Sequence, residues 1–164
     1  MSERKSEYDA VLQKAPDDDT LLFFTGHMEA MGLYQALEDL LYSSFPHVNK
    51  RVQKTQITFY NSHVFACVSF ARVKRKAELP ARWLTLTLGL PAPLDSPRVA
   101  AACEPYPGRW THHFVLSGED ELDGEMISWI REAYDFAEIK RRRTDSRKSQ
   151  ARAGETSPNP NEGS

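Results

Sequence analysis

Residues Trp83–Leu88 alternate without exception, with Leu84, Leu86 and Leu88 on one parity and Trp83, Thr85 and Thr87 on the other. A period of two sends successive side chains to opposite faces, so this segment reads as a strand with one greasy and one polar side. Ile57-Thr58-Phe59 repeats the alternation, and His63–Phe70 is apolar on both parities. On either side of these strands the period changes. Met28, Met31, Tyr34, Leu37 and Leu40/Leu41 recur every three or four residues and predict an amphipathic helix from about His27 to Ser43, with Pro46 closing the region after it. Leu122, Met126, Trp129/Ile130, Ala133 and Ala137 predict a second helix. Ser117 and Asp120 resemble a capping box ahead of it, with Asp in place of the usual Glu or Gln. Helix, hairpin-linked strands, helix implies an α+β fold: one mostly antiparallel sheet of about 4–5 strands with two helices packed on one face.

The connections follow from turn chemistry. Asn61-Ser62 predicts a tight hairpin, and Val52, out of phase with Ile57 and Phe59, predicts a bend or bulge near Lys54-Thr55. Pro91, Pro93 and Pro97 are expected to exclude regular structure until Thr111–Leu116. The stretch from Cys103 to Leu116 combines two prolines, a glycine, Arg109, Trp110 and the pair His112-His113 just before an apolar alternation. Turn residues that deliver polar side chains onto a strand are a common way to build a site on a rigid scaffold.

A chain of 164 residues can bury a core without disulfides or metals. Residues 1–20 are expected to form a mobile polar leader, 21–139 a single α+β domain, and 140–164 a basic, disordered tail without large apolar residues beyond its start. Net charge is −2 but uneven: the tail carries +4 and leaves −6 on residues 1–139. Within that acidic body, residues 50–77 hold seven Lys/Arg and no acid. The Lys140–Arg143 run could serve nucleic acid or an acidic surface, and the blander reading is a solubilising helix end. No segment looks like a signal peptide or a membrane span, and neither Cys67 nor Cys103 has a CxxC neighbour, so a cytoplasmic protein with reduced thiols is expected.

Parity then assigns a candidate surface. With Ile57, Phe59, Leu84, Leu86, Leu88, Phe114 and Leu116 toward the helices, the opposite face receives Gln56, Thr58, Tyr60, Trp83, Thr85, Thr87, Thr111 and His113, joined by Lys54 if the bend precedes it. Aromatic area beside lysine and histidine suits a planar anionic ligand such as a nucleotide. The competing reading is a merely solvated face with Tyr60 and Trp83 covered from above. Lys54, Gln56, Tyr60, Trp83, Arg109 and His113 are the expected ligand-binding residues.

His112 and His113 point to opposite sides of a strand and so cannot readily hold one metal together. His112, on the parity of Phe114, is expected to be buried and bonded to backbone; His113 is the candidate general acid or base, helped by Glu104 or Arg109. Arg109 could hold an anion bidentately or brace its loop against Glu104 or Asp95. His27, His47 and His63 have no partners at ligand spacing, Cys67 is expected to be packed and inert, and no phosphate loop, GxGxxG or GxSxG is present. Neither a metal nor a cofactor is expected.

Five segments in order carry a family resemblance: Leu33-Tyr34-Gln35-Ala36-Leu37; Lys54-Thr55-Gln56-Ile57-Thr58-Phe59; Leu88-Gly89-Leu90 with Asp95-Ser96-Pro97-Arg98; Arg109-Trp110-Thr111-His112-His113; and Trp129-Ile130-Arg131-Glu132-Ala133-Tyr134. Together they resemble the bacterial family of domains of unknown function DUF5655 over about Leu21 to Ala137. The resemblance implies a small α+β domain in a bacterial cytoplasm and carries over no catalytic residue. The functional expectation is a binding module for an anionic or planar ligand, a nucleotide or single-stranded nucleic acid, on an open sheet face edged by Arg109. The alternatives are an enzyme using His113 as general acid or base, and a homodimer or protein-partner module burying Trp83 and Tyr60.

Overall fold

The alternation in Leu84–Leu90 fixes the layers: Leu84, Leu86, Leu88 and Leu90 are all buried, on the side where the helices lie. The computed structural model describes residues 16–138. Its strands are β1 (Asn49–Val52), β2 (Gln56–Tyr60), β3 (Val64–Ser69), β4 (Leu84–Leu90), β5 (Ala101–Tyr106) and β6 (Arg109–Leu116). They form one antiparallel sheet in the order β1-β2-β3-β4-β6-β5. Before the sheet come α1 (Asp18–Phe23), a 3₁₀ turn at Met28–Ala30 and α2 (Met31–Ser44). After it comes α3, over 124–138, where the described residues end. Most of the expected leader, and the whole 140–164 tail with its Lys140–Arg143 run, lie outside the described residues.

Register explains the core. Ile57, Val68, Leu86 and Phe114 are cross-strand neighbours in one row, and Phe59, Ala66, Leu88 and His112 form the next. These rows meet Leu33, Tyr34, Leu37 and Leu41 of α2 and Met126, Ile130, Ala133 and Tyr134 of α3 in a single cluster. Each such Leu or Phe contributes about 1.5–3 kcal/mol by leaving water. The α+β class, the antiparallel sheet and the one-sided packing of both long helices are as the periodicities imply.

The sheet has six strands, more than the 4–5 expected, because both edge strands carry no alternating signal. The expected bend at Lys54-Thr55 is the turn of the β1–β2 hairpin, where the Gln53 N–H donates to the Gln56 carbonyl at 2.8 Å. Regular structure also resumes at Ala101 rather than Thr111. Pro105 is tolerated there because β5 is an edge, and its register with β6 slips between Cys103 and Tyr106. Gly108, at φ 80°, supplies the left-handed residue of the turn into β6.

Helix α3 starts later than the Ser117/Asp120 pattern suggests. Asp123 caps it, its Oδ1 accepting the Met126 N–H at 3.0 Å. Ser117 instead donates to the Glu121 carboxylate around the 3₁₀ turn Glu119–Glu121. At the other end of the sheet, the Asn61-Ser62 hairpin is tied to α3: Asn61 Nδ2 donates to the Tyr134 carbonyl at 3.0 Å, and His63 Nδ1 lies 3.3 Å from the Ala137 carbonyl oxygen.

Candidate functional site

Phe70 is the first residue beyond β3, and its contact with the core ring of Phe24 puts it on the helix side of the sheet. Besides Phe24 of the core, three further rings converge on it. Gly26, at φ 85°, turns the chain after α1, and the His27 ring lies flat on Phe70 with centroids 3.8 Å apart. Phe23 of α1 stacks at 5.7 Å, and Trp83 meets Phe70 edge-on at 5.6 Å. Offset and edge-on contacts of this kind are the favoured aromatic geometries.

The cluster walls two adjoining hollows. One, of about 430 Å³, is bounded by Phe23, His27, Phe70, Lys54 and Thr55. The other, of about 330 Å³, is bounded by His27, Phe70, Trp83, Pro80, Arg72 and Lys76. No acid lines either one. Lys54, Arg72 and Lys76 are exposed and make no ion pair among the described residues, whose bridges belong to Lys50 and Arg98. Lys50 shows the contrast. Also part of the basic stretch 50–77, it is turned inward, with Nζ 2.6 Å from Thr20 Oγ1, 3.0 Å from Glu38 Oε2 and 3.3 Å from Asp17 Oδ2.

The opposite sheet face carries a second polar group. Thr58, Cys67, Thr87 and His113 are cross-strand neighbours, and Thr87 Oγ1 lies 2.8 Å from His113 Nδ1. Burial holds the His113 imidazole below the usual histidine range. Arg109 lays its guanidinium over Gly89, where a Cβ would stand 2.9 Å from Nη2, and lies 5.9 Å from the Tyr106 ring. Burial pushes the Cys67 thiol up to about 11, with the Arg109 charge opposing the rise. A neutral, half-buried thiol is a poor nucleophile, as expected for a packed cysteine.

The six expected binding residues are therefore divided between two places. Gln56, Tyr60, Arg109 and His113 belong to the open face. Gln56 and Tyr60 sit at opposite ends of β2, roughly 13 Å apart at 3.3 Å per residue. Lys54 and Trp83 leave that face and line the hollows around Phe70. Trp83 precedes β4, so the strand's parity does not reach it, and Lys54 occupies a hairpin turn. The single decorated face expected from alternation is thus corrected to a polar face, on which Thr58 and Thr85 are themselves buried, and a separate aromatic, basic groove at one sheet end. Phe70, Arg72 and Lys76 carry no site signal of their own in the sequence, and His27 is weighed there only as a metal ligand. The acid-free run 50–77 was the available signal for the two cations.

The remaining candidates are placed as follows. Glu104 Oε2 accepts the Gly108 N–H at 3.3 Å, bracing the β5–β6 turn. His112 is fully buried, and its Nε2 accepts the Leu94 N–H at 3.0 Å, which anchors the Pro-rich loop. Among the described residues no group of three or more His, Cys, Asp or Glu could hold a metal ion, and no helix is long and apolar enough to cross a membrane.

The model of one family, the domain of unknown function DUF5655, matches residues 23–137, and the chain belongs to that family. No curated protein and no solved structure matches it.

Proposed function

We propose that this DUF5655 protein is a binding module for a planar, anionic, nucleotide-like ligand, seated in the groove around Phe70 rather than on the open face. One observation carries the reading: three cations without acid partners among the described residues, Lys54, Arg72 and Lys76, border the same hollows as the half-buried rings of His27, Phe70 and Trp83. Rings supply stacking area for a base, and ammonium and guanidinium groups supply charge for a phosphate. Each hollow is of the size that small ligands use. We also read the protein as bacterial and cytoplasmic. The free thiols of Cys67 and exposed Cys103 suit a reducing compartment.

A thermal-shift comparison of nucleoside monophosphates and triphosphates, the bare nucleosides and inorganic phosphate tests the reading. Nucleotides are expected to stabilise the protein by about 1.4 kcal/mol at tenfold excess over Kd. Nucleosides and phosphate, each satisfying half the site, should do less. Lys54→Ala and Trp83→Ala should each weaken the nucleotide shift. No shift with any nucleotide, or a shift indifferent to both substitutions, would overturn the assignment.

A further inference from the structure

The two hollows are not separate dimples. His27 and Phe70 line both, so their flat stack forms a ridge with a hollow on either side. Positive charge stands beyond the ridge in both directions, Lys54 in one hollow and Arg72 with Lys76 in the other. A third hollow, of about 580 Å³, continues past Phe23 and Lys54, and there Asp19 ends the acid-free run. A single nucleotide seated in one hollow would meet only one end of this charge distribution. Rings shared by two hollows, with cations in each, match a polymer of planar rings joined by phosphates.

We infer that the groove takes single-stranded nucleic acid, with consecutive bases lying on either side of the His27–Phe70 ridge and the intervening backbone running past Lys54, Arg72 and Lys76. The inference rests on the binding reading above and narrows its ligand class. Stacking platforms beside a cationic track are the general solution for binding single strands without base-pair readout. A net charge of −6 on residues 1–139 disfavours a duplex, whose binding calls for a net basic domain.

Fluorescence anisotropy of the full chain with a labelled hexathymidylate tests this, with thymidine monophosphate and a duplex of the same length as competitors. The strand is expected to bind at least tenfold tighter than the mononucleotide, and the duplex to compete poorly. Three backbone contacts give a slope of log K against log salt of about −2, and Lys54→Ala should bring it closer to zero by about 0.7. Trp83→Ala and His27→Ala should each weaken the strand roughly five- to hundredfold. Because Lys54 is an exposed turn residue, its variant tests the site without threatening the fold.

A mononucleotide that competes as well as the strand, or binds when the strand does not, overturns the inference and leaves the nucleotide-binding reading standing. Binding of neither removes both. Strand binding indifferent to Lys54, Trp83 and His27 places it elsewhere, the Lys140–Arg143 run included, and overturns the inference. Preferential duplex binding does the same.

Discussion

Arg98 reaches across from the end of the Pro-rich loop to the cap of α3, its Nη1 2.9 Å from Asp123 Oδ1. The same guanidinium meets Glu125 at 3.1 Å, donates to the Glu121 carbonyl at 2.7 Å and lies over the Trp129 ring. It thereby holds a loop, a helix start and a core-edge aromatic together. In the Asp95-Ser96-Pro97-Arg98 segment, the arginine's role is a structural clamp. Arg98→Ala should lower the Tm by a few degrees, and Arg98→Lys should recover only part of it, since an ammonium cannot reproduce the fork. A variant melting like the parent would show the clamp to be idle.

Lys50 is the cation that the structure spends on its own fold. Its side chain is only 11% exposed, and it joins α1, α2 and β1 through Asp17, Thr20 and Glu38, with the Tyr34 ring 5.4 Å away. Lys50→Met should cost about 1–3 kcal/mol in urea unfolding, less than the 3–5 of a fully buried pair because Asp17 is 60% exposed. Adding Glu38→Gln should relieve the acid left behind. The pair of substitutions should therefore cost less than the sum of the two singles.

Acid should weaken the fold in two stages. Burial lowers both His112 and His113 from their ordinary 6.5. The unfolded chain then binds more protons than the folded one just below that value, so stability rises with pH in that window. Their contribution is complete above pH 6.5 and is lost as pH falls through the lowered values. Asp17 and Asp123, also lowered from 3.8 by hydrogen bonds and nearby Lys50 or Arg98, add a second loss at lower pH. Denaturation midpoints measured from pH 8 to 4 should show the first stage, and His112→Gln, whose amide oxygen can still accept from Leu94, should flatten it.

The two thiols should react at very different rates. Cys103 is exposed on the edge strand, whereas Cys67 is half-buried with its thiol near 11. Alkylation at pH 8 followed by peptide mass spectrometry should modify Cys103 first, by roughly two orders of magnitude in rate. Equal rates would mean that the centre of the sheet opens more readily than its packing implies.

Strands whose two faces differ were readable residue by residue. Leu84, Leu86 and Leu88, with Ile57, Phe59, Phe114 and Leu116, were all assigned correctly to the helix side, because a shift of one residue would have turned every one of them to water. β5 was not readable. Ala102 to Tyr106 are all exposed, so no core pattern is imposed on them, and Pro105 argues against a strand unless its edge position is known. Alternation stops short of Trp83: one residue before β4, the chain has not yet joined the pleat. The groove itself is assembled by α1, the β1–β2 turn and the two ends that β3 and β4 share. No local period encodes that meeting, and only charge composition hinted at it.

Phe70 touches Phe24 of the core on one side and His27 and Trp83 of the groove on the other. The shelf proposed for a ligand is thus also a prop beneath the first helix. Occupancy should be felt as reduced fraying there. The amides of Leu21 and Phe24, bonded to the carbonyls of Asp17 and Thr20, should exchange with deuterium more slowly once the shelf is covered, while those of the distant Asn61 hairpin keep their rates.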